Sequence, residues 1–227
     1  MIGTLVNVAT VIIGGTIGVL FHSKVPKRFI DIAFTGIGIF TLILGVSMAI
    51  QSNQQLFMVF SIIIGSIIGE GFDLDRQLNR LSERFKERIN SKDSNFSTGL
   101  ITSFLLFCMG SMTILGAIQE GVSQSPDLLL TKATMDGFAA LALASTLGIG
   151  VIFSVIPLFI FQGGLTLLAG YLQHYLTDAM ITELSAVGGL LLIALALNIL
   201  EIKTIKVMNM LPSLLVIIIF MVIHQFL

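Results

Sequence analysis

DLDRQLNRLSERFKERINSKD, residues 73–93, is the one long connection between apolar runs in this chain. Leu74, Leu78, Leu81, Phe85 and Ile89 recur at spacings of three and four, the single apolar stripe of a helix, and Arg76, Arg80, Arg84 and Arg88 repeat every four residues beside it. Such a helix can lie in a membrane interface and attract anionic lipid headgroups, or dock a partner. The plainer reading is an amphipathic connector with a solvated face. Segment 73–95 holds six of the chain's twelve Lys and Arg residues. Five more fall in 22–28 (Lys24, Lys27, Arg28) and 201–206 (Lys203, Lys206), leaving only Lys132 elsewhere. All three basic segments share one side of a bilayer if the chain crosses it eight times. Because basic loops are retained in the cytoplasm, both termini are then expected outside.

Working outward, the rest of the chain is membrane-like in composition. Of 227 residues, 55% are hydrophobic and 11% charged, with a mean hydropathy of +1.00. A soluble domain is closer to a quarter charged. A spanning helix takes about 20 apolar residues, so eight of them use nearly the whole chain and leave no room for a separate soluble catalytic domain. The expectation is an all-α integral membrane protein, one polytopic domain over 1–227. The net charge of −1 and a pI near 6.3 say little, since the charges are sorted by side, and they give no reason to expect nucleic-acid binding. Cys108 is the single cysteine and has no partner for a disulfide or a metal pair. The start, MIGTLVNVAT, lacks a basic n-region and a small-residue cleavage site, so the first run is expected to be a retained helix.

The expected spans are roughly 2–21, 29–50, 56–72, 97–118, 130–152, 154–173, 181–200 and 209–226. The fifth and sixth are separated only by Gly148–Ser154. A kink there instead of a turn would reverse everything downstream and put 201–206 outside, against the charge rule. A faint internal repeat aligns TGIGIFTLILGVSMAI (35–50) with SAVGGLLLIALALNIL (185–200), and the diglycine Gly14–Gly15 with Gly163–Gly164 at nearly the same offset. Apolar composition alone produces such matches. If real, spans 1–3 and 6–8 form two inverted repeats around spans 4 and 5, as in many secondary transporters.

Several residues are candidates for chemistry. Gly14 and Gly18, then Ser61, Gly65 and Gly69, then Ala140, Ala144 and Gly148 form small-residue strips whose ordinary use is close helix packing. The diglycines differ, because adjacent glycines weaken a helix, and broken helices at matching positions mark transporter sites. In the fifth span, SPDLLLTKATMDGFAALALA, Ser125 reads as an N-cap and Pro126 as the first helical residue. From there Lys132 lies roughly 9 Å and Asp136 roughly 15 Å along the axis, on one face. Ionisable groups at that depth are costly unless paired or facing a polar cavity; the plain alternative is an interfacial pair with Lys132 snorkelling.

Glu70, Asp73, Asp31 and Glu201 sit at expected cytoplasmic helix ends near basic residues, where interfacial pairing explains them. Gln119 and Glu120 close the fourth span outside and could serve a cation vestibule or be a solvated helix end. Asn7, Gln162 and Asn198 are uncharged polar residues in apolar runs, ordinarily used for hydrogen bonds between helices. Asn7 and Gln162 each share a span with a diglycine. The candidate ion- or substrate-binding set is therefore Asp136, Lys132, Asn7, Gln162, Gly14, Gly15, Gly163 and Gly164, with Gln119, Glu120 and Glu70 behind it.

Signatures of enzymes are missing from the sequence. His22, His174 and His224 have no metal-ligand spacing, and neither G-x-S-x-G nor a phosphate-cradling G-x-x-x-x-G-K-[ST] occurs. No catalytic residue, metal or cofactor is expected. IIGSIIGEGFDLD (63–75), GSMTILGAIQEG (110–121), LLLTKATMDGFAALALASTLGIG (128–150) and FQGGLTLLAG (161–170) together resemble the YdfK/YqgA family, a bacterial domain of unknown function, over essentially the whole chain. The resemblance implies a bacterial inner-membrane protein for which transport has been considered. It supplies no substrate and no catalytic residue.

The leading expectation is a small secondary transporter or ion-conducting protein for a cation or small solute. In it Asp136 binds or relays the cation, Lys132 offsets its charge, and Asn7, Gln162 and backbone freed at the diglycines supply neutral ligands. Its small size and glycine strips point to a homo-oligomer. The competing expectation is a non-transporting scaffold that recruits a partner or senses lipid through residues 73–92.

Overall fold

The computed structural model describes residues 1–22, 27–77, 80, 84, 87, 95–108, 110–123, 125–172 and 177–225. Most of the basic 73–92 segment falls outside the described residues. Among those described, every regular element is a helix: α1 (Ile2–His22), α2 (Lys27–Ala49), α3 (Gln55–Phe72), α4 (Phe96–Cys108), α5 (Ser111–Ser123), α6 (Asp127–Leu147), the single turn α7 (Gly150–Phe153), α8 (Val155–Leu172), α9 (Asp178–Ile199), a 3₁₀ turn (Val207–Met210) and α10 (Ser213–Gln225).

Among the described residues, six helical segments are long and apolar enough to cross a membrane: Ile2–Phe21, Gln55–Phe72, Asp127–Leu147, Gly150–Tyr171, Asp178–Ile199 and Val207–His224. A seventh is made only if α4 and α5 are counted as one bent span. The fourth expected span, 97–118, is therefore not one straight helix. It bends by 59° between Phe96–Cys108 and Met112–Val122. The Thr113 hydroxyl donates to the Phe107 carbonyl at 2.8 Å, supplying a partner that the interrupted ladder no longer provides. The second expected span is helix α2, Lys27–Ala49, 23 residues or about 34 Å at 1.5 Å per residue, within which Thr35–Ala49 is a shorter apolar stretch.

The chain divides into two compact units, each assembled from two stretches of sequence. The first comprises Met1–Gly36 and Ser82–His174. Its central feature is the crossing of α1 and α6. Gly3 lies over Leu129, Gly14 over the Gly137 backbone, and Gly18 over Leu141 and Ala144, so the two helices run parallel. A Cβ on Gly14 would collide with the Gly137 carbonyl, which is why this crossing requires glycine. Against the α7–α8 stretch the order is reversed. Thr4 meets Thr166, Asn7 meets Gln162, and Gly15 meets Ile152. Helix α4 also runs opposite to α6: Gly99 packs on Leu147 and Val151, whereas the Phe107 ring lies near Lys132.

These registers establish that 148–154 is a turn. Helix α6 is parallel to α1 and α8 is antiparallel to it, so the chain reverses between them. Gly148 permits the reversal with φ of 74°, a conformation side-chain-bearing residues rarely adopt.

The second unit comprises Ile37–Leu81 and Tyr175–Leu227. Gly38 packs on Ile199 and Leu200, and Gly45 on Gly189 and Ile193, so α2 and α9 are antiparallel. The Gly45–Gly189 approach is mutual: a Cβ on either would lie 2.7 Å or 2.6 Å from the other's carbonyl oxygen. Helix α3 runs antiparallel to α10, with the Phe57 ring 5.7 Å from that of Phe220 and 5.4 Å from that of His224 at one end. At the other end Gly65 meets Ser213 and Gly69 meets Asn209. Met180, Val187, Ile217 and Met221 form the apolar centre.

Candidate functional site

The first unit holds a buried polar cluster built from three helices. Lys132 and Asp136, four residues apart on α6, form an ion pair. Both are buried, at 5% and 7% exposure. Their depth follows from the helix start. Ser125 was expected to cap it, but Pro126 occupies the cap position and the Ser125 hydroxyl donates instead to the Asp127 carboxylate at 2.8 Å. Counted from Asp127, Asp136 is roughly 13 Å in, close to the middle of α6.

The other two helices bring amides. Asn7 of α1 donates one Nδ2 hydrogen to Asp136 Oδ2 and another to Gln162 Oε1 of α8, both at 2.9 Å. Gln162 Nε2 in turn donates to Thr4 Oγ1 at 3.3 Å. Thr166, one turn along α8, donates to the Gln162 carbonyl at 3.0 Å and lies 3.5 Å from Thr4 Oγ1. The Thr10 hydroxyl contacts the Ala133 carbonyl at 2.8 Å as well as that of Asn7 at 2.9 Å, tying α1 to α6 one turn from the ion pair. The Phe107 ring, 6.0 Å from Lys132 Nζ, supplies an apolar wall bearing a negative π face.

A buried ion pair stands only when its desolvation is repaid by close geometry and further hydrogen bonds. Asn7 supplies such a bond to Asp136. With both its Nδ2 hydrogens used, Asn7 Oδ1 is left buried without a hydrogen-bond partner. The arrangement can hold a proton or a cation against a carboxylate whose charge is already offset by a tethered ammonium.

Lys132, Asp136, Asn7 and Gln162 are thus brought together from positions far apart in sequence. The diglycines do something other than expected. Helices α1 and α8 continue unbroken through Gly14–Gly15 and Gly163–Gly164, so no backbone ligands are freed there. Gly14 and Gly15 are used for packing on Gly137 and Ile152; Gly163 faces Met1 and Thr4, and Gly164 faces open space. The Gly137 backbone and the Ile152 side chain account for the close packing at the first pair.

Of the remaining candidates, Gln119 is exposed. Glu120 is not a solvated helix end: it is 5% exposed and Oε1 accepts the Gly3 N–H at 2.6 Å. Glu70 belongs to the second unit, where it pairs with Lys206 and accepts from Asn209 Nδ2 at 2.6 Å. The Glu70 hydrogen bond holds the Lys206 ammonium above its ordinary pKa. Asn198 does not bridge two long helices; its amide clamps the following loop, accepting from Ile205 N at 2.6 Å and donating to Ile205 O at 2.8 Å.

Sequence reading passed over Thr4, Thr166 and Glu183. The threonines were legible in principle, three residues before Asn7 and four after Gln162, hence on the same helix faces. Glu183, 1% exposed in α9, accepts from Ser52 Oγ at 2.6 Å, Asn53 N at 2.7 Å and Gln54 N at 3.0 Å. From a different helix it holds the turn that leads into α3, a role with no local sequence signature.

Comparison with known proteins places these features in a lineage. The chain is 34% identical over 232 residues to the uncharacterized membrane protein YdfK of Bacillus subtilis (strain 168), covering 100% of this chain and 98% of the relative. It is also 34% identical over 221 residues to the uncharacterized protein YqgA of Escherichia coli (strain K12), covering 95% and 94%. No solved structure matches. Residues 2–222 match the family described as protein of unknown function DUF554, and the chain belongs to that family.

Proposed function

We propose that the protein is a small secondary transporter or ion-conducting protein of the bacterial inner membrane, acting on a cation or small solute at the Asp136 cluster. The observation that carries this reading is the Lys132–Asp136 pair near mid-helix, with an amide from α1 joining it to one from α8. Intramembrane ionisable groups are expensive, and function is the ordinary reason for keeping them.

A second observation supports an inverted repeat. Each predicted partner pair, α1 with α7–α8, α2 with α9, and α3 with α10, packs antiparallel within its own unit. An in-plane two-fold axis requires antiparallel partners of this kind. The continuous helices at the diglycines mean that side chains, not freed backbone, would be the ligands.

Charge segregation supports cytoplasmic basic segments with both termini outside, and attraction of 73–95 to anionic lipid. A homo-oligomer belongs to the same reading. The strips Gly14–Gly18 and Gly65–Gly69 are already occupied within the chain, so copies would meet through other surfaces.

Reconstitution into liposomes tests the function. Asp136→Asn keeps the side-chain shape and removes the charge; it should abolish cation or proton flux in a protein that remains folded. A folded variant conducting like the parent would remove Asp136 from the mechanism.

A further inference from the structure

We propose that Glu120 is a second cation station, adjoining the Asp136 cluster along the α1–α8 seam, and that the ligand of this seam is a monovalent metal cation such as Na⁺. The inference rests on the reading of Asp136 as a transport site and extends it toward the Ile2 end of α1.

Among the described residues, four buried side-chain oxygens in the first unit have no hydrogen-bond partner: the hydroxyls of Thr102 and Ser103 on α4 and, along the α1–α8 seam, Glu120 Oε2 and Asn7 Oδ1. Buried polar atoms are ordinarily satisfied, and an exception calls for a cause. Asn7 Oδ1 is an acceptor, as is Glu120 Oε2 in the ionised carboxylate, so what satisfies them must be a donor or a cation, never an anion. They are also close in register. Glu120 is anchored at the Gly3 amide, and Gly3 and Asn7 are four residues apart on one face of α1, roughly 6 Å along its axis. Between them lie the hydroxyls of Thr4 and Thr166, 3.5 Å apart, and the Gln162 amide that bonds to both Thr4 and Asn7. The seam is therefore a run of neutral oxygens with a carboxylate at each end.

Charge selects among cations. Lys132 offsets Asp136 and the Met1 ammonium, 3.1 Å from Oε1, offsets Glu120, so neither carboxylate brings a surplus of negative charge; at Glu120 Oε1 is engaged by the Gly3 amide and Oε2 is the oxygen without a hydrogen-bond partner. Divalent cations are held by more carboxylates than this, or retain most of their water. Among the described residues no three His, Cys, Asp or Glu side chains converge. One carboxylate oxygen with neutral hydroxyl and amide oxygens suits a singly charged ion.

The test uses the full chain, purified in detergent, with a hydrophobic carbodiimide that modifies buried carboxyls, mapped by mass spectrometry. At constant ionic strength and pH, saturating NaCl should slow modification of Glu120 by about tenfold relative to choline chloride, as expected when ligand stands at ten times its Kd. Thr4→Val should weaken that protection, read within the variant as a smaller difference between its rates in choline chloride and in NaCl. Equal rates in NaCl, KCl and choline chloride would overturn the proposal. So would rates that follow pH alone with no dependence on the salt, since the ligand would then be a proton. The two readings fail separately: flux lost in Asp136→Asn with Glu120 modification indifferent to salt removes this station and keeps Asp136. Protection of Glu120 by Na⁺ with undiminished flux in Asp136→Asn removes Asp136 and keeps the station.

Discussion

Asn7 and Asp136 are 129 residues apart in sequence and 2.9 Å apart in space, the amide of one helix donating to the carboxylate of another that crosses it in parallel. The close approach depends on glycine. Gly14 and Gly137 allow α1 and α6 to come near enough for a short asparagine side chain to reach the ion pair. Packing and polar chemistry in the first unit are consequently one feature, and a change in either should be felt in the other.

Lys132→Met should be strongly destabilising. Removing one member of a buried pair leaves an uncompensated charge, costing roughly 3–5 kcal/mol. Lys132→Met combined with Asp136→Asn should recover much of that loss, because no buried charge remains. Thermal unfolding in detergent compares the two, and equal melting temperatures for the single and double variants would mean that Lys132 and Asp136 do not compensate each other.

The glycines of α1 and α8 should respond oppositely to alanine. At Gly14 the new Cβ meets the Gly137 carbonyl, and forced separation of the helices should cost about 1–3 kcal/mol. At Gly164 nothing lies within 4 Å of the added atom. That substitution should be neutral or stabilising by up to about 1 kcal/mol from helix propensity. Unfolding midpoints of the two variants decide the matter.

Glu183→Ala should loosen the start of α3 by removing the acceptor shared by Ser52, Asn53 and Gln54. Leaving these buried and part-buried donors without their acceptor should cost about 1–3 kcal/mol. Hydrogen exchange followed by mass spectrometry should show faster exchange at the Asn53 and Gln54 amides, with the Asp136 region unchanged. Unaltered exchange at those amides would show that Glu183 is not their acceptor.

Sidedness is open to direct measurement. Reporter fusions after residue 90 and at the carboxyl terminus should report opposite compartments, the first cytoplasmic. The same compartment for both would require an even number of crossings between them, and because α6 and α8 run in opposite directions the bent α4–α5 pair would then be the first place to revise.

What the sequence determined by itself is what depends on sums over neighbouring residues. Apolar run lengths mark candidate membrane helices, and the clustering of eleven of twelve basic residues in three connecting segments is what the proposed sidedness rests on. It also named Asn7, Lys132, Asp136 and Gln162, because a polar residue inside an apolar run is locally visible. Whether those residues meet was decided by helix rotation and crossing, which bring Asn7 to Gln162 across 155 positions. The diglycines show the other side of this limit. Two adjacent glycines can break a helix or admit a neighbour's backbone, and the sequence is the same in both cases. Only the approach of Gly137 to Gly14 distinguishes them here. Glu183 was hidden for a like reason: the amides it accepts from lie in the turn before α3, 130 residues away, and nothing in its own neighbourhood records their need for an acceptor.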